Sequence, residues 1–385
     1  MKICHLITRL IIGGAQENTV LTCKGLVERG HEVTLVAGPE TGPEGSLWDQ
    51  AGDAGCEIIR LDSLCRAVRP LRDRQAMRDL KHLFVKLRPD VVHTHSSKAG
   101  ILGRFAASAA HVPTIVHTIH GMSFNRTQPR MTRLLYCTLE RWAGTRTTAF
   151  VTVADAMIDQ AVDARLAPRE RFTTIRSGID TDRFCPCSKS RLELRQAWGV
   201  AKDEIVVGTI ARLFDNKGYE EILEAMPRAV ERKPRLKFVW IGDGPRRGQY
   251  ERELERMGLR DRVNVIGLVK PDEVARLLRG FDLLVHASRW EGLPRAVVQA
   301  LLCEVPAISF DLDGAPEVVV SNVTGLLVPT GNTSALSEAI VTLSSDATCR
   351  AMLGNEGRKR CLATFGWHKM VEEIEELYER LRPSS

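Results

Sequence analysis

Two rhythms of apolar and polar positions alternate along this chain from end to end. Short, nearly continuous apolar runs rich in Val and Ile predict strands buried on both faces. Longer stretches with apolar residues three and four apart predict amphipathic helices between them. In the first half the runs predict strands over residues 2–7, 32–37, 57–61, 91–95, 114–119, 149–153 and 172–175. In the second half they predict strands over 205–210, 237–241, 263–266, 283–287, 307–310 and 325–328. Strands separated by helices imply parallel sheets, so the pattern predicts an α/β protein with two Rossmann-like sheets in succession. The apolar pattern lapses around residues 180–190, where Pro186 stands among small residues. That lapse sets domains over 1–185 and 186–366, followed by a long amphipathic stretch over 367–385.

A chain of 385 residues exceeds what one core usually supports, which agrees with two domains. Its 44% hydrophobic and 26% charged content is that of an ordinary globular protein, and no apolar run is long enough to predict a transmembrane helix. The opening residues read as a first strand rather than a signal peptide. The ten cysteines are scattered, Cys185 and Cys187 being the one close pair, so reduced thiols in a cytoplasmic enzyme are expected and a zinc site is not. The net charge of +6 resides in residues 1–185, which carry 25 basic and 19 acidic side chains. It gathers over residues 66–88 and 126–146. The second stretch interleaves Arg126, Arg130, Arg133, Arg141 and Arg146 with Met131, Leu134, Leu135, Tyr136, Leu139 and Trp142. It predicts a basic amphipathic helix that either lies on an anionic membrane surface, placing the enzyme at the inner face, or packs its apolar stripe on the sheet. Neither stretch joins a nucleic-acid reader module, so nucleic acid is not an expected partner.

Candidate chemistry clusters where predicted strands end. The run over 283–287 leads into Ser288-Arg-Trp-Glu291-Gly-Leu-Pro294-Arg295, a turn and a Pro-started helix whose first N–H groups favour an anion. On that helix Arg295, Gln299 and Cys303 share one face while Val297, Ala300 and Leu301 take the buried one, a spacing that also describes any solvated helix face. Upstream, the run over 205–210 leads into Arg212-Leu-Phe-Asp-Asn-Lys217-Gly218. Arg offers a bidentate fork for phosphate oxygens and Lys a compact point charge, at the strand edge where open parallel sheets bind ligands. Two such loops predict a shared diphosphate site. In the first half, Gly13-Gly14 forms a glycine-rich turn that lets amides approach an anion, but it lacks the third glycine of a dinucleotide fingerprint. His93, His95, His117 and His120 stand at two neighbouring strand ends. With no carboxylates beside them, hydrogen-bonded structural histidines are expected rather than a metal site, and His120, before Gly121, is the one placed to face a cleft.

Taken in order, Gly13-Gly14-Ala15, Val-His93-Thr-His95-Ser-Ser-Lys98-Ala-Gly100, His117-Thr-Ile-His120-Gly121, Ser177-Gly-Ile-Asp180, Arg212 with Lys217, Gly242-Asp-Gly-Pro245, Glu291-Gly-Leu-Pro294, Asp313-Gly-Ala-Pro-Glu317 and Gly325-Leu-Leu-Val328 make a set. The set resembles the retaining glycosyltransferases of family four over almost the whole chain. That resemblance implies the GT-B architecture: two Rossmann-like domains with parallel sheets facing a central cleft, an acceptor domain first, a nucleotide-sugar domain second, and a last helix that crosses back. It implies that Arg212 and Lys217 hold the donor diphosphate, and that Glu291, with the amides of Gly292 and Leu293 before Pro294, contacts the transferred sugar. His120 would touch and position that sugar, Gly14 would bring an amide near the distal phosphate, and Val269 would meet the base through its backbone. Gln299 stands where the family has a ribose-binding Glu; its carbonyl still accepts one hydrogen bond. Ser177 stands where many relatives have Asn. The resemblance further implies a lipid-linked glycan or polysaccharide precursor as acceptor, no cofactor and no metal, the two cations serving instead. No carboxylate pair spaced for glycosidase chemistry is evident. The resemblance implies same-face transfer instead, with the departing phosphate taking the acceptor's proton. A nucleotide-sugar epimerase and a non-catalytic nucleotide-sugar-binding subunit are the rival readings.

Overall fold

The computed structural model describes residues 1–39, 42, 45–124 and 128–382. The chain divides into two units, Met1–Gly178 with Trp367–Ser385, and Ile179–Gly366. The division falls before residue 185 because Ile179 is already core: it is buried, and its N–H donates to the Phe365 carbonyl at 2.8 Å.

The first unit is built on β1 (Lys2–Arg9), β2 (Glu32–Gly38), β3 (Glu57–Arg60), β4 (Val91–His95), β5 (Thr114–Ile119), β6 (Ala149–Thr152) and β7 (Phe172–Thr174). They form one parallel sheet in the order β3-β2-β1-β4-β5-β6-β7. Each apolar run predicted above forms a strand, with ends moved by a residue or two. The helix Gly14–Glu28 sets Val20, Cys23 and Leu26 against Trp367, Met370, Val371, Ile374 and Leu377 of the helix Trp367–Leu381. Gly25 permits that crossing, since a Cβ there would lie 2.6 Å from Val371 Cγ2. Each such buried side chain contributes about 1.5–3 kcal/mol, enough to dock the last helix on the first unit.

The second unit carries β8 (Ile205–Ile210), β9 (Leu236–Ile241), β10 (Val263–Gly267), β11 (Leu283–His286), β12 (Ala307–Phe310) and β13 (Gly325–Val328). They too form a parallel sheet, in the order β10-β9-β8-β11-β12-β13. Its core gathers Phe238, Trp240, Phe310 and Tyr219 under the helices Tyr219–Arg232 and Thr333–Ser345. In both sheets the direction of progression reverses beside the first strand, between β1 and β4 and between β8 and β11. At such a switch point the adjoining loops diverge to opposite faces and leave a crevice at the strands' carboxyl ends.

Within the basic stretch predicted over 126–146 the helix is Arg130–Gly144; Arg126 lies outside the described residues. Its buried face carries Cys137, Glu140, Ala143 and Gly144. Glu140 meets the fully buried Arg104 at 2.5 Å and accepts from Ser123 Oγ at 3.2 Å, which fixes the helix's rotation. Met131, Leu134, Leu135 and Trp142 therefore face outward, each more than half exposed. Among the described residues no helix is long and apolar enough to cross a membrane.

Candidate functional site

In the second unit the switch point is occupied by the loops after β8, β11 and β12. The first runs over residues 211–218 and ends in Gly218, which adopts φ +87°. A Cβ at Gly218 would lie 2.2 Å from the Ala287 carbonyl oxygen, so only glycine lets this loop close on the one after β11. Arg289 N–H donates to the Asn216 carbonyl at 2.9 Å, and Ser288 Oγ donates to the same oxygen at 3.3 Å. The third loop joins through Asp313, whose Oδ2 accepts from the Glu291 N–H at 3.0 Å, and through Gly314 N–H, which donates to the Gly292 carbonyl at 3.1 Å.

This packing brings the Lys217 ammonium to 2.7 Å from Glu291 Oε1 and 3.5 Å from Ser288 Oγ. His286 Nε2 stands 3.3 Å from the same carboxylate oxygen. Burial on its own would raise the Glu291 pKa, but the Lys217 charge and the adjacent His286 ring outweigh it and hold the carboxyl well below the usual carboxylate range. Glu291 is thus an anion that can accept from hydroxyls, and Lys217 a cation beside it. The two side chains keep 21% and 25% exposure, so the pair remains open to a ligand.

Arg212 lies on the same loop, exposed, its guanidinium 4.9 Å from the Phe214 ring centre. Gly292, Leu293 and Pro294 are buried. Pro294 caps the helix instead of starting it: its ψ of 83° is not helical, and the helix runs Arg295–Leu302. Gln299 is half-buried on that helix. Cys303 leaves the predicted solvent face because the helix ends before it; it is buried against the Ala275 carbonyl. Val269 is half-buried between β10 and the helix Pro271–Leu278.

In the first unit Gly14 opens the helix Gly14–Glu28, with no side chain capping the N-terminus. His120 directly follows β5 and is half-buried. His117 and His120 part company: His117 Nδ1 bonds Thr94 Oγ1 at 2.8 Å, whereas His120 Nε2 bonds His95 Nδ1 at 3.0 Å. Parallel register sets His5 of β1 beside His93 of β4, and ring nitrogens of His5, His93 and His95 lie within 4.8 Å of one another. Burial pushes the His5 pKa down to about 3 and lowers those of His93 and His95 as well. Among the described residues no carboxylate joins these rings, and they bond to one another and to Tyr378 and Thr118.

A cavity of about 490 Å³ opens at the ends of β1 and β4, lined among others by Thr8, Arg9, Asp73, Ser96, Lys98 and Tyr136. Lys98 Nζ lies 2.6 Å from Asp73 Oδ2, while Asp73 Oδ1 is buried with no hydrogen-bond partner among the described residues. Sequence reasoning missed His5, His286, Ser288 and Asp313 as members of these clusters. Only the Asp-Gly step at 313 gave a signal, since Asp tolerates the positive φ, here 51°, that the turn requires.

Comparison with known proteins agrees with this architecture. The profile described as Glycosyltransferase Family 4 matches residues 12–183, and that of Glycosyl transferases group 1 matches residues 190–360. The chain is 27% identical, over 98% of its length and 96% of the relative's, to the UDP-Gal:alpha-D-GlcNAc-diphosphoundecaprenol alpha-1,3-galactosyltransferase of Escherichia coli. It is 30% identical to EpsD of Bacillus subtilis (strain 168), which carries the name of a glycosyltransferase, over 78% of this chain and 79% of that one. The crystal structure of Anabaena HepE in complex with UDP and glucose superposes with a TM-score of 0.85 at 19% identity, covering 99% of this chain and 100% of that chain. The fold is that of the GT-B class. The chain belongs to glycosyltransferase family four.

Proposed function

We propose that this protein transfers a hexosyl group from a UDP-sugar to a diphosphate-linked lipid glycan, with retention of configuration. The observation that carries the proposal is the Lys217–Glu291 pair, 2.7 Å apart at the switch point of the second sheet. On this reading Lys217, with Arg212, takes the donor diphosphate. Glu291 and the Gly292 and Leu293 amides before Pro294 take hydroxyls of the sugar. Val269 meets the base, Gln299 the ribose, Gly14 the distal phosphate, and His120 orients the sugar. As the C1–oxygen bond breaks, its electron pair passes to the phosphate, where Lys217 and Arg212 offset the growing charge. The acceptor hydroxyl bonds C1 from the same face and gives its proton to the departing phosphate oxygen. Neither cofactor nor divalent metal enters this scheme.

UDP as the carrier is supported by the Escherichia coli relative, which uses UDP-Gal, and by the UDP-bound HepE fold. The cavity at β1 and β4 supplies a polar site for the acceptor's sugar, Asp73 Oδ1 being a buried acceptor without a donor among the described residues. The outward Met131, Leu134 and Leu135, flanked by Arg130 and Arg133, give a surface for the cytoplasmic face of an anionic bilayer, where such an acceptor is anchored.

UDP release from UDP-galactose, measured with and without a GlcNAc-diphosphate-lipid, tests this reading. It predicts acceptor-dependent release, an axial linkage in the product and no loss of rate in EDTA. Rearranged sugar formed without acceptor would show an epimerase instead, and turnover restricted to GDP-sugars would overturn the UDP assignment.

A further inference from the structure

Two segments of the second unit meet at the site, residues 216–221 and 288–291, and a second charged pair joins them besides Lys217–Glu291. Glu221, in the first turn of the helix Tyr219–Arg232, has a buried side chain, 3% exposed. Its Oε1 accepts from Arg289 Nε, and its Oε2 has no hydrogen-bond partner among the described residues. The backbone joins the same segments, since Arg289 N–H donates to the Asn216 carbonyl at 2.9 Å. The two pairs are crossed in sign. The first segment supplies the cation Lys217 to one and the anion Glu221 to the other; the second segment answers with Glu291 and Arg289.

A carboxylate withdrawn from water needs a cation against it, so Glu221 holds Arg289 where it stands. Apolar side chains of similar volume commonly replace such a pair without loss of stability, so stability alone gives no reason for charges here. What the pair adds is direction, because a planar guanidinium accepts few orientations and an apolar contact slides. Lys217, by contrast, holds Glu291 through one ammonium on a flexible stem, which defines their geometry loosely. We propose that Glu221 and Arg289 are positioning residues: their pair fixes the loop after β11 on the start of the helix Tyr219–Arg232 and thereby sets how Glu291 faces Lys217. Arg289 precedes Glu291 by two residues and Glu221 follows Lys217 by four, so a slip at one pair is passed to the other. The effect on transfer rests on the functional reading above; the placement of Glu291 does not.

Carbon-13 NMR of the glutamate carboxyls, with Glu291 assigned by loss of its signal in Glu291→Gln, reads that placement without substrate. In the wild type burial would raise the Glu291 pKa, but the Lys217 charge and the His286 ring hold it low. Arg289→Met alone, and Arg289→Met with Glu221→Leu, should each raise the Glu291 titration midpoint by about one pH unit or more as Lys217 draws away. The double variant leaves no buried charge behind, so its urea midpoint should stay near that of the wild type even if the single variant unfolds. The double variant should also lower kcat about ten- to a hundredfold with donor KM changed less than about threefold. Arg289→Lys, which keeps a cation for Glu221, should titrate at Glu291 as the wild type does. An unmoved Glu291 titration in the folded double variant overturns the proposal, whatever its kcat. A moved titration with unchanged kcat would uphold the positioning and overturn the part of Glu291 in transfer. A moved titration in a protein whose wild type turns over no UDP-sugar would uphold the positioning and overturn the functional reading.

Discussion

Glu291 is held as an anion by Lys217, from the loop after β8, and by His286, at the end of β11, and its charge has a measurable signature. Its folded pKa lies below the unfolded value of about 4.3, so the stability it contributes is complete above that value and is lost as pH falls toward the folded pKa. Glu291→Gln should cost about 1.5–3 kcal/mol at pH 7, the range for a hydrogen bond to a charged group. Urea unfolding at pH 7 and at pH 3 should show the gap between wild type and variant shrinking in acid; a gap that stays constant would deny the ion pair. At this scale the sequence was half legible. Lys217, Arg212 and Glu291 stood out because charged residues in short loops after apolar runs are conspicuous. His5 and His286 did not, because their partnerships arise from register between strands and from loop packing. Periodicity along one segment carries neither.

Among the elements, every strand could be read from its apolar run, since a strand covered on both faces has no polar alternation to obscure it. Helix ends and faces were read less well. Pro294 and Cys303 each fall just outside the helix predicted to hold them, because loop contacts on either side set where it begins and ends. The rotation of the helix Arg130–Gly144 was also hidden, for it depends on a buried ion pair to Arg104 on another helix. Removing one partner of such a pair strands the other charge, so Arg104→Met should destabilise by about 3–5 kcal/mol. Arg104→Met with Glu140→Leu should recover most of that. Denaturant titrations of both variants test this: equal losses would mean that the pair does not set the energetics of this face.

Over the whole molecule, the positive charge and the site divide between the units. The net charge of +6 resides in residues 1–185, along with the outward apolar side chains of the helix Arg130–Gly144, while the Lys217–Glu291 pair belongs to the second unit. A basic, apolar surface predicts association with vesicles containing anionic phospholipid that weakens with salt, and several-fold weaker association for Leu134→Ser with Leu135→Ser. Sedimentation indifferent to both salt and the double substitution would remove the membrane from the account.

The central claim is that the ammonium at Lys217 carries charge off the leaving diphosphate. The turnover number of Lys217→Ala with UDP-sugar and acceptor tests it most directly. Loss of one preorganised donor predicts a fall of about 10²–10³ in kcat, with the variant folded as the wild type is. A rate within a fewfold of wild type would contradict it.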